Sequence, residues 1–208
     1  MVDGSIFGGI IPDYLTAIAE GRIPNYSQFT KFAFNTLILP GALMILSNNL
    51  AIVQPATGRQ MSIVSTSASD SAAGTGVRKV LLQYWDSSWN FRQEVLTMNG
   101  ATAVNTAGTD IFRIEELFGI SRGSNLTAVG TITVSDVPVS TNIYAQIDVN
   151  RAKFERCLHY VASGKIGIMT GVVASARTSG GVTFVIIRDF DFSSLGGDSR
   201  MPVGVGQL

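Results

Sequence analysis

The sequence predicts an all-β fold: an antiparallel two-sheet β-sandwich, jelly-roll-like, with a short N-terminal helix and an extended arm. Three observations predict it. Apolar and polar residues alternate with a period of two through much of the chain after Leu37, as in strands with one buried face. Clusters of Gly, Asn, Asp and Ser break these runs about every ten residues, giving about eight to ten short strands. No strand–helix alternation of the kind that builds a parallel sheet is present.

The elements follow in order. "MVDGSIFGG" is Gly-rich and reads as a terminal segment that docks on a partner or stays loose. In "IIPDYLTAIAEG", Ile11, Tyr14, Leu15 and Ile18 fall at helical spacing. Pro12 suits the first helical position and Gly21 suits the left-handed residue after the last turn. A helix of about two to three turns is too short to stand alone and must pack on something. "RIPNYSQFTKFAFN" then gathers Tyr26, Phe29, Phe32 and Phe34 without a clean period. Such a cluster either plugs its own domain or serves as an adhesive arm. The expected division is an arm with its helix over 1–36, a β-sandwich domain over 37–195 and a C-terminal tail over 196–208.

"QMSIVSTS" reads as a strand. "GVRKVLLQYW" and "WNFRQEVLTM" read as a hairpin about "DSS", with Val80, Leu82 and Tyr84 on one face. "NGATAVNT" supplies a turn and a strand-like Val104. "DIFRIEELFGIS" is ambiguous, because Ile111, Ile114, Leu117 and Phe118 also fit a helix; its β-branched and aromatic content favours a strand. "GTITVSDVP", "NIYAQIDVN" and "KFERCLHYVA" read as further strands. "KIGIMTGVVASA" and "GVTFVIIRDFDF" read as a last hairpin turned by "RTSGG". The tail "SSLGGDSRMPVGVGQL" shows no periodicity.

Composition narrows the function classes. The 15 basic and 15 acidic residues cancel, so no electrostatic footprint for nucleic acid or an anionic membrane is visible. With 46% hydrophobic and only 14% charged residues, much of the surface is left to small polar side chains, which suits a chain that sits against other chains. One cysteine, Cys157, excludes an internal disulfide. The apolar run Leu37–Leu46 holds Pro40 and Gly41 and is too short to span a bilayer. The N-terminus lacks the basic stretch of a signal peptide.

Candidate chemistry is sparse. "GTGVRKV" lacks the Lys-Ser or Lys-Thr of a phosphate loop and leads into a strand, so it reads as a strand connector. Cys157 and His159 share a strand face, but a closed zinc site needs four ligands. Positions two apart on a strand lie about 7 Å apart, too far for a thiolate–imidazole pair, so both read as packed strand residues. The acidic pairs are Glu115 with Glu116 and Asp189 with Asp191. The latter alternates with Phe190 and Phe192 and reads as a solvated strand face rather than a glycosidase pair. Trp85 and Trp89 flank the "DSS" turn, as a ligand platform or as a cap on the core or a subunit contact. No catalytic, cofactor-binding or metal-binding set is expected, and the chain reads as a non-enzyme.

Three segments in register resemble a family of tailed-bacteriophage virion proteins, among them capsid decoration and head-fibre proteins of cyanophage-like viruses. "IAEGRIPNYSQFTKFAFN" is similar to the family's N-terminal segment, with Lys31, Phe32 and Asn35 matching and Ala33 in place of a glycine. "SASDSAAGTGVRKVLLQYWDSSWNFRQEVLTMNGATAVNT" resembles its glycine turn, hairpin and closing strand, with Gly74, Gly76, Val77, Arg78, Glu94, Asn99 and Gly100 matching. "YVASGKIGIMTGVVAS" resembles its strand–turn–strand, with Gly164 and Lys165 matching and Ala162 in place of a proline. The resemblance implies a β-sandwich subunit on the virion capsid surface, made in the host bacterial cytoplasm. It implies an arm (Tyr26, Phe29, Lys31, Phe32, Phe34) that grips the major capsid protein or neighbouring virion proteins. The chain is then expected to be a homo-oligomer, trimer or dimer, with no nucleic acid or membrane partner. A host-recognition or carbohydrate-binding sandwich is the alternative, with Trp85 and Trp89 as its platform.

Overall fold

The computed structural model describes residues 14–24, 26, 31, 53–139, 141–154, 159–161, 183–190 and 199–207. Phe29, Phe32, Phe34, Cys157, Gly164 and Lys165 lie outside the described residues. The chain divides into two compact units, residues 1–163 and 164–208, where the sequence suggested boundaries at 36 and 195. Among the described residues it is antiparallel β with a single short helix, as the alternation predicts.

The described helix is α1 (Tyr14–Ala19), and Ile11 and Pro12 of the expected helix lie outside the described residues. Gly21 ends it at φ 70°, a left-handed conformation that costs glycine little. The Arg22 N–H donates to the Ala17 carbonyl and the Gly21 N–H to that of Ile18, both at 2.9 Å, which satisfies two terminal carbonyls.

Among the described residues, the larger unit holds two sheets. One has strand order β3-β2-β5, with β2 (Val77–Asp86) between β3 (Phe91–Thr97) and β5 (Ile111–Arg122). The other has order β4-β1-β6-β7, built from β1 (Met61–Ser65), β4 (Val104–Asn105), β6 (Ile132–Asp136) and β7 (Ile143–Ile147). Their inward side chains form one apolar cluster. Met61, Ile63, Ile132, Val134 and Ile147 come from one sheet and Val77, Val80, Leu82, Ile111, Ile114 and Leu117 from the other. Burying each removes it from water at a gain of about 1.5 to 3 kcal/mol.

Strand β5 accounts for its own ambiguity. Leu82 stands opposite Leu117 and Tyr84 opposite Ile114, so two residues of β2 face three of β5. A second shift sets Trp85 opposite Arg113 and Asp86 opposite Ile111. Each β-bulge adds one residue to the interval. Ile111, Ile114 and Leu117 therefore all reach the core at a spacing of three, which in sequence imitates a helix.

The connector Ser67–Gly76 is organised by a buried carboxylate. Asp70 Oδ1 accepts from the Val77 N–H at 2.8 Å and the Val129 N–H at 3.1 Å. Its Oδ2 accepts from the Ser65 hydroxyl at 2.7 Å and the Gly130 N–H at 2.8 Å. The glycine turn is thus a strand connector, and the acid within it ties β1 and β2 to the loop before β6. Gly76 is required there, since a Cβ would run into Asp70 Oδ1.

Three expectations need correction. Trp89 does not begin a strand: it sits in the turn at φ 61°, and β3 starts at Phe91. The Asp86 carboxylate accepts from the Ser88 and Asn90 N–H groups, which lengthens the turn past "DSS". The described part of "KFERCLHYVA" is no strand. Lys153 makes one bridge to Phe118, Phe154 donates to the Leu117 carbonyl at 2.8 Å, and residues 159–161 are irregular. His159 meets β5 through its side chain, which lies against Glu115, and not through a backbone ladder. In the smaller unit, residues 199–207 form strand β9 (Ser199–Gln207), antiparallel to β8 (Thr183–Phe190). Pro202, Gly204 and Gly206 hide any alternation, but backbone pairing does not require one.

Candidate functional site

The bulge at Glu115 decides where the chemistry of the larger unit lies. Ile114 and Leu117 point into the core, so the two residues between them both turn to the opposite, outer face. That face also carries Gln83 and Trp85 of β2. Glu115 and Glu116 thus stand side by side. A regular strand would send neighbouring side chains to opposite faces.

Lys31 docks between them. Its Nζ lies 2.8 Å from Glu115 Oε1 and 2.7 Å from Glu116 Oε1, and donates to the Glu115 carbonyl at 3.1 Å. The three side chains are only 9%, 6% and 10% exposed, so this is a buried ion cluster. One ammonium between two carboxylates leaves a negative charge, and further donors converge on it. His159 Nδ1 lies 2.5 Å from Glu115 Oε1. The Trp85 indole N–H donates to Glu115 Oε2 at 3.2 Å and the Tyr160 N–H at 3.4 Å. Burial pushes the Glu115 carboxyl up. The hydrogen bonds of His159 and Lys31, with the lysine charge, outweigh it and hold the group below the usual carboxylate range.

Chemically, this arrangement clamps. Both oxygens of Glu115 are occupied by donors of the same chain, from residue 31 on one side and residues 159–160 on the other. Among the described residues no group of three or more His, Cys, Asp or Glu side chains is placed to hold a metal ion.

Beside the cluster, aromatic side chains collect at the hairpin tip. Trp85 and Trp89 ring centroids are 6.2 Å apart at 56°. Phe91 meets Trp85 edge-on at 5.3 Å and Phe112 meets Trp89 at 5.8 Å. The Arg113 guanidinium stacks 3.6 Å from the Phe112 ring centroid. Farther from the tip, Asp136 accepts from Arg59 at 2.9 Å and from the Tyr144 hydroxyl at 2.9 and 3.0 Å.

The structure joins some sequence candidates and separates others. Trp85 and Trp89 do stand together, both half-buried. Lys31 lies against β5 of its own chain, while Tyr26 leaves 53% of its surface in solvent. Glu115 and His159 meet across 44 positions, a contact that strand spacing alone could not reveal. The available signal was the pair of adjacent acids inside an apolar run. No protein-family model, curated protein or solved structure matches the chain.

Proposed function

We propose that this chain is a non-enzymatic structural subunit of a bacteriophage particle: a capsid decoration, cement or head-fibre protein that binds the major capsid protein and stabilises the shell. Its two larger sheets would form a jelly-roll-like β-sandwich. The observation that carries the reading is the saturation of the buried charges. Among the described residues, the buried carboxylates Glu115, Glu116 and Asp70 all bond donors of the same chain, which suits a stiff structural body. Phe91, Val95 and Ile120 stay substantially exposed on a chain of low charge, which suits lateral contacts. The three-segment resemblance supports the same reading.

Mass spectrometry of purified particles, before and after a mild wash that strips surface proteins, tests it. Peptides of this chain should be present before the wash and depleted after it. Their absence from finished particles refutes the proposal.

A second reading has its own observation. Trp89 holds φ 61° in the loop between β2 and β3, where glycine or asparagine is at ease and a large side chain carries a cost of about 1 kcal/mol. Strain of this kind at an aromatic tip suits a platform on which a sugar ring stacks. A glycan-binding screen with Trp89→Ala decides: saturable binding lost in the variant favours a carbohydrate-binding protein.

A further inference from the structure

Strand β3 is an edge, and its register identifies what can pair with it. Met98 donates its N–H to the Arg78 carbonyl, and the Asp86 N–H donates to the Asn90 carbonyl. Between these points the β2–β3 register is unbroken, so the even-numbered residues of β3 face β2. Phe91, Gln93, Val95 and Thr97 therefore turn their N–H and C=O groups to the open side. Among the described residues, no strand pairs with β3 there. Natural edges are blunted by charged side chains, lysine above all, by proline or by a bulge. This one, "FRQEVLT", has neither lysine nor proline and no register shift against β2, and its two charges, Arg92 and Glu94, are of opposite sign, so a suitably placed strand pairs them instead of being repelled. Phe91 and Val95 are 46% and 54% exposed, and Gln93 is exposed as well.

We infer that β3 pairs antiparallel with β3 of a second copy of this chain about a twofold axis at Gln93, joining two three-stranded sheets into one of six. Charge complementarity selects the copy and the register. Centred on Gln93, the pairing sets Arg92 opposite Glu94 of the second copy, twice by symmetry. It sets Phe91 opposite Val95 of the second copy, also twice. Shifting the axis by one residue in either direction places Arg92 against Arg92 or Glu94 against Glu94, and like charges directly opposite are destabilising. The chosen register makes Gln93 the hydrogen-bonded pair on the axis, consistent with the outward backbone groups of the odd residues. It also continues the outer face. Trp85 neighbours Phe91, Phe91 would neighbour Val95 of the second copy, and that Val95 neighbours Leu81 of its own β2. Arg92 is free to swing: its side chain is 58% exposed, with one bond to Asp86. Glu94 is already aimed by the Ala107 and Gly108 N–H groups and keeps lone pairs for a cation.

This pairing specifies one contact of the proposed homo-oligomer, yet stands whether or not particles incorporate the chain. Particle proteomics tests the one and solution sedimentation of the purified full chain tests the other. The wild type should sediment as a dimer at micromolar concentration. Arg92→Glu should weaken the dimer about ten-fold, because two attractions become two repulsions. Gln93→Pro should abolish it with an unchanged far-ultraviolet spectrum, since that N–H makes no bond to β2. Gln93→Cys should form a covalent dimer under mild oxidation, because hydrogen-bonded antiparallel partners lie about 5.5 Å apart at Cα, within disulfide reach. Thr97→Cys should cross-link no more than the wild type, which carries only Cys157. If Gln93→Pro unfolds, the cross-link alone decides. A wild type that stays monomeric at about 100 μM (some 5 kcal/mol on the affinity scale), an oligomer that survives Gln93→Pro folded, or a Gln93→Cys chain that fails to cross-link overturns the inference.

Discussion

His159 Nδ1 lies 2.5 Å from Glu115 Oε1, and the same oxygen is 2.8 Å from the Lys31 ammonium. One carboxylate in the middle of a strand thereby fastens two distant segments to the outer face of the β3-β2-β5 sheet. The bulge makes this possible by turning Glu115 to the side where both segments pass.

The clamp makes stability depend on acid. Burial pushes the carboxyls of Glu115 and Asp136 up. In each the donors win, namely His159 and Lys31 for Glu115, and Tyr144, Arg59 and Asn142 for Asp136, so both are held below their ordinary values. A depressed folded value means stability that is complete above the unfolded pKa of about 4 and lost as pH falls through the folded value. Thermal melts from pH 3 to 8 should therefore be level near neutrality and drop steeply below about pH 4. Glu115→Gln should lower the melting temperature at pH 7 and shrink the acid drop. An unchanged acid limb in that variant removes Glu115 from the account.

Lys31→Met tests the same cluster from the other side. It leaves two adjacent buried carboxylates without their cation, and breaking a buried pair costs about 3 to 5 kcal/mol. Urea unfolding should show that loss. Lys31→Met combined with Glu115→Gln and Glu116→Gln should recover much of it, because no uncompensated charge then remains. Equal loss in the single and triple variants would mean that the lysine stem, not its charge, is what matters.

How much of this was legible in sequence follows from where the period of two holds. Val80, Leu82 and Tyr84 alternate without interruption, and their buried face is readable directly. In β5 bulges insert extra residues, so alternation fails where Glu115 and Glu116 become buried neighbours. Adjacent acids flanked by Ile114 and Leu117 were a visible anomaly, but their partners lie far away in sequence and only folding brings them together. Asp70 was equally hidden, since a Ser, Asp and Gly run reads as an open turn until the carboxylate is seen inside it. Trp89 was placed in the strand by its β propensity, whereas the Asp86 carboxylate, bonded to the Ser88 and Asn90 N–H groups, carries the turn through it.

Asp70 should be among the most sensitive positions in the chain. Asp70→Ala strands the N–H groups of Val77, Val129 and Gly130, and each buried unsatisfied donor costs about 1 to 3 kcal/mol, so a total near 3 to 5 kcal/mol is expected. Gly76→Ala should destabilise by about 1 to 3 kcal/mol through overpacking against the same carboxylate. Urea midpoints measure both. In a double variant the two losses should fall well short of additive, because Asp70→Ala removes the group that Gly76→Ala strikes. Full additivity would separate the two positions.

The alkaline side has its own sign. Burial pushes up the phenols of Tyr84 and Tyr144, and neighbouring Glu94 and Asp136 push the same way. A raised folded value gives stability that is complete below the unfolded pKa of about 10 and lost as pH rises through the folded value. Melts between pH 8 and 11 should fall late. Tyr144→Phe should flatten part of that fall and cost about 1.5 to 3 kcal/mol at neutrality, the worth of a hydrogen bond to a charged acceptor. Tyrosine absorbance titration of wild type and variant locates the missing phenol.

The bulge itself can be tested by deletion. Ile114 and Leu117 both reach the core with two residues between them. Deleting Glu115 leaves one residue between them, the spacing of a regular strand, so every core side chain of β5 keeps its face. The cost is the clamp alone, and Glu116 remains for Lys31. Deleting Gln83 does the opposite: it makes Leu82 and Tyr84 neighbours in the central strand, so one leaves the core together with every residue beyond it. The Glu115 deletion should melt cooperatively at a reduced temperature, whereas the Gln83 deletion should show no cooperative transition. If instead the Glu115 deletion is unfolded and the Gln83 deletion folds, the assigned register of β2 against β5 is wrong, and with it the placement of both carboxylates on the outer face.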